Sequence, residues 1–105
     1  MNLIVNSTAK DRDIVLSVKG EVDVSCADVL RDAVSAAFAE QPDRLCVDLS
    51  EVPYIDSTGI GVLVGAANRA AEEQRAFAVL NPQRNVVRVL ALLGVQDQLN
   101  VIQSA

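Results

Sequence analysis

The sequence predicts an α/β domain in which a mixed, mostly parallel β-sheet of four to five strands is covered by three to four helices. Three observations predict this fold. The chain has 105 residues, room for one domain, which we take as residues 1–105. Its apolar periodicity alternates between that of a strand and that of a helix, in the order β-β-α-β-α-β-α-(β). This order contains strand–helix–strand units, whose strands become parallel neighbours with right-handed connections.

Two short strands come first, at residues 3–8 and 13–19. Residues 10–12 between them favour a hairpin turn. A helix is predicted next, with Ser25 and Asp28 forming a capping box at its start and Gln41-Pro42 at its end. Its predicted inner face comprises Cys26, Val29, Leu30, Ala33, Val34, Ala37 and Phe38.

The middle of the chain predicts a strand at residues 45–49, a loop at 50–56 that Asp48 braces, and a helix beginning at Ser57 or Thr58. This helix is apolar on nearly all sides, so it should be the most buried one. Its predicted inner face comprises Ile60, Leu63, Val64, Ala67 and Ala71.

The last third predicts a strand at residues 76–80, a helix opened by Asn81-Pro82, and a short strand at Val101-Ile102. Gly94 stands where a helix C-terminus favours glycine. The predicted inner face of this helix comprises Val86, Val89, Leu90 and Leu93.

The amino-acid composition excludes several classes of function. Fourteen acidic against nine basic residues give a net charge of −5, so we expect no nucleic-acid partner. The absence of histidine excludes Ser-His-Asp and Cys-His catalysis, and we expect no enzyme, metal or cofactor. No apolar run approaches about 20 residues, so we expect no membrane partner. Cys26 and Cys46 are too far apart for a C-x-x-C pair, and we expect free thiols in a cytoplasmic protein.

The candidate site lies at one edge of the predicted sheet. In open α/β sheets, ligands bind beyond the carboxyl ends of the parallel strands. Here those ends are residues 20–23, 50–57 and 81–82, three loops that we call the rim.

Ser57 is the best candidate on the rim. A hydroxyl at a helix N-terminus lies near free N–H groups and the positive end of the helix dipole, which favour a phosphoryl group. Such a group would stand beside the like charge of Asp56 and could switch a surface. The alternative, which the spacing alone favours, is that Asp56 or Ser57 is merely an N-cap. Asp23 shares the rim, with the similar alternative that it only satisfies N–H groups at a helix start.

The three glycines Gly59, Gly61 and Gly65 resemble a nucleotide loop only weakly, because no Lys-Ser/Thr follows them. Small residues that let a helix approach the sheet or a partner explain them better. An acyl carrier protein also places Asp-Ser at a helix start, but carriers are all-helical.

Four stretches of the chain carry a resemblance to a known family. They are Gly20-Glu21-Val22-Asp23, Val47-Asp48-Leu49-Ser50, the run from Val52 to Leu63, and Asn81-Pro82. In this order they resemble the STAS domain of bacterial anti-sigma factor antagonists, over about residues 20–94. The resemblance implies a single STAS-like domain.

The resemblance also implies a partner-switching function. The serine matching Ser57 is phosphorylated by an anti-sigma factor that is a kinase of the histidine-kinase-like ATPase fold. The unphosphorylated antagonist binds this kinase and frees the sigma factor, and a PP2C-type phosphatase reverses the modification. The acid matching Asp23 aids kinase recognition. The expected partner-binding residues are Asp23, Asp56, Ser57, Thr58, Gly59 and Ile60.

The chain departs from the family at Cys26. Relatives commonly have threonine there, whereas here the hydroxyl has moved to Ser25, so the helix starts at either position. The departure also leaves a thiol near the switch, which an inert core thiol explains better than a redox role. Within the same fold, the alternative function is a lone STAS subunit of a stressosome or of an ABC-type lipid transporter.

Overall fold

The computed structural model describes residues 3–103, which form one five-stranded sheet and three α-helices. The strands are β1 (Ile4–Lys10), β2 (Asp13–Lys19), β3 (Arg44–Glu51), β4 (Ala76–Leu80) and β5 (Val101–Ile102), and the helices are α1 (Ala27–Ala39), α2 (Ser57–Glu72) and α3 (Arg84–Leu92). Strands lie in the sheet in chain order. Only β1 and β2 pair antiparallel, so the predicted mixed, mostly parallel sheet is confirmed.

The core lies on one face of the sheet. Alternate residues of the central strands are buried there, among them Leu16, Val47 and Val79. Right-handed connections between adjacent parallel strands place the three helices over this same face. Cys46 and Ala78 are also buried, but they lie outside the core cluster, on the opposite face. No helix within residues 3–103 is long and apolar enough to cross a membrane.

The start of α1 differs from the prediction. The helix begins at Ala27, its N-cap is Cys26, and no side chain caps it, so the predicted capping box is wrong. The Ser25 hydroxyl instead donates to the carboxylate of Asp23, and Asp28 pairs with Arg31. Because the N-cap is Cys26, Ser25 lies one position before it, where its hydroxyl oxygen does not accept the N–H groups of the first helical turn.

Three apolar positions were assigned to the wrong face. Val29 is 42% exposed because it directly precedes buried Leu30 and so lies about 100° round the helix from it. Ala70, not Ala71, continues the buried stripe of α2. Leu93 is exposed because α3 ends at Leu92. The prediction that α2 is the most buried helix is confirmed: seven of its residues are buried, against five in α1 and two in α3.

The end of α3 confirms the role predicted for Gly94. This residue has a φ of +70°, the left-handed region that favours glycine. Its N–H donates to the carbonyl of Ala91, and the Val95 N–H donates to that of Leu90. These two bonds form a Schellman motif, which satisfies the last carbonyls of the helix.

Candidate functional site

The start of α2 is capped by Asp56. One carboxylate oxygen, Oδ1, accepts the Gly59 N–H at 2.9 Å, and the Asp56 carbonyl accepts the Ile60 N–H at 2.9 Å. The helix therefore begins at Ser57, the first of the two predicted starts. Of the two residues that could have been the N-cap, Asp56 is the one that caps.

Ser57 occupies the first helical position with an exposed side chain. Because Asp56 provides the cap, the Ser57 hydroxyl makes no hydrogen bond within residues 3–103. The amides of Ser57 and Thr58 likewise have no acceptor among the described residues. An exposed hydroxyl thus stands beside two unpaired N–H groups at the positive end of a helix dipole.

The other oxygen of Asp56 ties two loops of the rim together. Its Oδ2 accepts the Val24 N–H at 3.0 Å, across 32 residues of chain. Next to this bond, Val22 and Ile55 form an isolated parallel bridge. The Asp56 N–H donates to the Val22 carbonyl, and the Val22 N–H donates to the Tyr54 carbonyl, both at 3.0 Å. The structure therefore brings the loop that carries Asp23 against the loop that carries Ser57, as the sequence predicted for the rim.

Asp23 is held by the residues that follow it. Its Oδ1 accepts from both the hydroxyl and, at 2.9 Å, the N–H of Ser25. These hydrogen bonds, the hydroxyl first, hold the pKa of Asp23 below its usual value. The half-buried Cys26 thiol donates to the Glu21 carbonyl at 3.2 Å. Asp23 thus accepts hydrogen bonds at the entry to α1, which is the structural alternative considered for it above. Its charged carboxylate lies on the rim.

Gly59 and Ile60 support the site from below. A Cβ atom on Gly59 would lie 2.6 Å from Val22 Cγ1 and 2.8 Å from Ile55 Cγ1, so this position requires glycine for the close approach of α2 to the Val22–Ile55 bridge. The Ile60 side chain is buried in the core. Both residues shape the surface without presenting a side chain on it, whereas Thr58 is half-buried.

The third loop of the rim is fastened by two amides that the sequence analysis missed. Gln83 Nε2 donates to the Ser50 carbonyl at 3.0 Å, and Asn85 Nδ2 donates to the Pro53 carbonyl at 2.6 Å. Asp48 braces the second loop, the one that both amides reach, by accepting the Ser50 N–H at 2.8 Å, as predicted. The only sequence signal was the presence of two amide side chains next to a rim proline.

A groove of about 380 Å³ runs between α1 and α2. Ser57 and Thr58 line it together with Arg31 of α1 and Arg69 of α2. Gly61 and Gly65 also line it, and a Cβ on either would meet no atom within 4 Å. Packing among residues 3–103 therefore does not require glycine at these two positions. Of the two predicted explanations, close approach to a partner is the one that still applies to them.

The fold and the arrangement of the rim define a class of protein. A family model described as "Mlab, STAS domain" matches residues 5–103. The chain belongs to the STAS-domain family.

Similar proteins indicate which group of STAS domains this chain resembles. The anti-sigma-B factor antagonist of Bacillus subtilis (strain 168) is 32% identical over 101 residues, which cover 96% of this chain and 92% of the relative. Among solved structures, an anti-sigma factor antagonist from Mycobacterium paratuberculosis superposes with a TM-score of 0.87 at 27% identity, covering 95% of this chain and 85% of the other. The anti-sigma factor antagonist SpoIIAA in its unphosphorylated form has a TM-score of 0.82 at 19% identity, covering 97% and 89%, and so shows the shared fold. The predicted resemblance to anti-sigma factor antagonists is confirmed.

Proposed function

We propose that this chain is an anti-sigma factor antagonist that acts by partner switching. In its unmodified form it binds an anti-sigma factor, which then releases its sigma factor. Phosphorylation on Ser57 ends that binding. The names of the relatives support the first part of the proposal, and the geometry at Ser57 supports the second.

The proposal depends on one observation: Asp56 makes the structural hydrogen bonds at the start of α2, and the Ser57 hydroxyl makes none among residues 3–103. Asp56 satisfies the helix N-terminus and the neighbouring loop, so the Ser57 hydroxyl is exposed and has no structural task. A phosphoryl group on that oxygen would find the unpaired amides of Ser57 and Thr58. Modification therefore adds charge to the surface without breaking a bond that holds the fold.

The proposed partners supply the chemistry. The anti-sigma factor, a kinase with a histidine-kinase-like ATPase fold, binds ATP. The Ser57 oxygen attacks the γ-phosphorus, the bond to ADP breaks, and the hydroxyl proton passes to a base on the kinase. A PP2C-type phosphatase hydrolyses the phosphoserine. The chain itself is a substrate and binding partner in the cytoplasm, with no catalysis of its own.

Binding ends by exclusion at the interface. Phosphorylation takes the net charge from −5 to about −6.5 or −7, and the new charge lies beside Asp56 and close to the loop of Asp23. A partner that covers the rim must remove water from this charge. The neutral amides of Ser57 and Thr58 do not cancel this charge, and burying a charge that no cation neutralises costs several kcal/mol, enough to weaken binding by orders of magnitude.

Phosphorylation by a partner kinase tests the proposal. The chain is incubated with ATP and each candidate anti-sigma kinase of its own genome, and the modified residue is located by intact mass and peptide mapping. We expect one phosphate, on Ser57, and none in Ser57→Ala. Ser50→Ala, which changes another exposed serine of the rim, should be labelled normally. Undiminished labelling of Ser57→Ala would refute the assignment.

Calorimetry of the same kinase tests the exclusion step. Ser57→Ala should bind constitutively, and Ser57→Asp should bind at least tenfold more weakly, with melting temperatures that differ little. Equal affinity of the two variants, or a melting temperature tens of degrees lower for Ser57→Asp, would show that exclusion is not the mechanism.

A further inference from the structure

Two large apolar side chains stand exposed around the rim. Val24 is 72% exposed and Tyr54 is 50% exposed. Each lies within two residues of the Val22–Ile55 bridge, on the two loops that flank the start of α2. Within residues 3–103 neither side chain is covered by the fold.

Hydrogen bonds fix the backbone at both positions. The Val24 N–H is bound by Asp56 Oδ2 at 3.0 Å, and the Tyr54 carbonyl accepts the Val22 N–H at 3.0 Å. A partner would therefore meet two ordered loops, and binding would cost little backbone entropy. Tyrosine is among the side chains that most commonly carry the binding energy of an interface.

The loops of the rim carry Glu21, Asp23, Glu51 and Asp56 and no lysine or arginine. Basic residues border this acidic set: Lys19 faces Glu51 across β2 and β3, and Arg31 lines the groove beside Ser57. Charge complementarity to the acidic loops favours lysine or arginine on the surface that covers them.

We propose that Val24 and Tyr54 are the apolar anchors of the interface with the anti-sigma factor, whose matching surface is an apolar pocket bordered by lysine or arginine. This rests on the proposed function and extends it from the switch residue to the residues that give affinity. Once both anchors are buried, the partner also covers the start of α2, so a phosphate on Ser57 could not remain hydrated. The anchors thereby make the switch effective.

The test measures binding of the unphosphorylated chain to the anti-sigma kinase that phosphorylates the wild type. Val24→Ser and Tyr54→Ser should each weaken binding at least tenfold. Tyr54→Phe, which keeps the ring, should bind within about threefold of wild type. Leu92→Ser is the matched control: Leu92 is 81% exposed, but it ends α3, which runs from the rim toward the opposite edge of the sheet, and its loss should leave affinity unchanged.

Salt dependence tests the charged border separately. Raising the ionic strength should lower the association rate of wild type, and Glu51→Gln should reduce this dependence while the two serine variants keep it. Melting curves verify that each variant is folded, and Val24→Thr, which keeps the shape of the side chain, replaces Val24→Ser if that variant unfolds.

The outcomes separate the two proposals. If wild type binds the kinase and the Val24 and Tyr54 variants bind within twofold of it, the anchors are refuted while the proposed function stands. If the Leu92 control loses as much affinity as they do, the anchors are again refuted. If wild type binds no anti-sigma factor of its genome, the proposed function fails and the anchors fail with it.

Discussion

Two serines stand at helix starts on the same edge of this molecule, and they differ in what their hydroxyls do. Ser25 precedes α1, and its hydroxyl is bound by Asp23. Ser57 begins α2, where Asp56 caps the helix and the hydroxyl remains exposed. The position of the neighbouring carboxylate decides the outcome. An acid one residue before the serine serves as the cap, whereas an acid two residues before it accepts the hydroxyl.

The largest expected effect comes from removing the carboxylate that leaves Ser57 free. Asp56→Ala loses the cap on the Gly59 N–H and the bond to the Val24 N–H, which together should cost about 2–4 kcal/mol of unfolding free energy. Asp23→Ala, which loses bonds only to neighbours in sequence, should cost less. Urea denaturation measures both. If Asp23→Ala proves the more damaging, the comparison between the two helix starts is wrong.

Replacing two glycines of α2 by alanine should change the free energy of unfolding in opposite directions. Gly59→Ala places a Cβ against Val22 and Ile55 and should destabilise by about 1–3 kcal/mol. Gly61→Ala meets open space and should stabilise by about 0.5–1 kcal/mol, because alanine favours the helix. Thermal melts of the two variants measure the contrast. A stabilised Gly59→Ala would mean that α2 does not need its close approach to the bridge.

The pKa of Asp23 sharpens the comparison. Its folded value lies below the unfolded one, so it contributes stability above the ordinary carboxyl range, which is lost as the pH falls through the folded pKa. Ser25→Ala removes the main cause, so the pKa should rise toward the ordinary value and the loss of stability in acid should become smaller. NMR titration of the Asp23 carboxyl measures the shift, with Ser57→Ala as the unchanged control. An unchanged pKa in Ser25→Ala would show that another group lowers it.

The smallest expected effect is that of Ser57→Ala on stability. Its hydroxyl makes no hydrogen bond in the described part of the chain, so the unfolding free energy should change by no more than about 0.5 kcal/mol. Urea denaturation of the unphosphorylated protein checks this value. A loss above about 1 kcal/mol would mean that this serine has a structural role after all.

Periodicity was sufficient to predict the elements, the sheet and the rim, because these follow from patterns along the chain. It placed the start of α2 at Ser57 or Thr58, the first of which is observed, and Gly94 at the end of α3. The predicted start of α1 was wrong because the helix begins one residue later than the Ser25-Asp28 spacing implied, with Cys26 as the N-cap, while the Ser25 hydroxyl donates to Asp23.

Contacts between distant segments escaped prediction for another reason. The bond from Val24 to Asp56 spans 32 residues, and those of Gln83 and Asn85 span 33 and 32. Such bonds depend on how the loops meet in space, and no periodicity records them. The exposure of Val24 and Tyr54 was missed likewise, since apolar residues beside strands are usually buried.

The agreement between strand order and chain order has a consequence for how the protein can be made. Each new strand pairs with the one synthesised just before it, so none must wait for a partner that the ribosome has yet to deliver. The contacts of the Val22–Ile55 bridge can form once α2 has emerged, but the amides of Gln83 and Asn85 come later. A nascent chain could thus build its switch serine before the surface around it is complete.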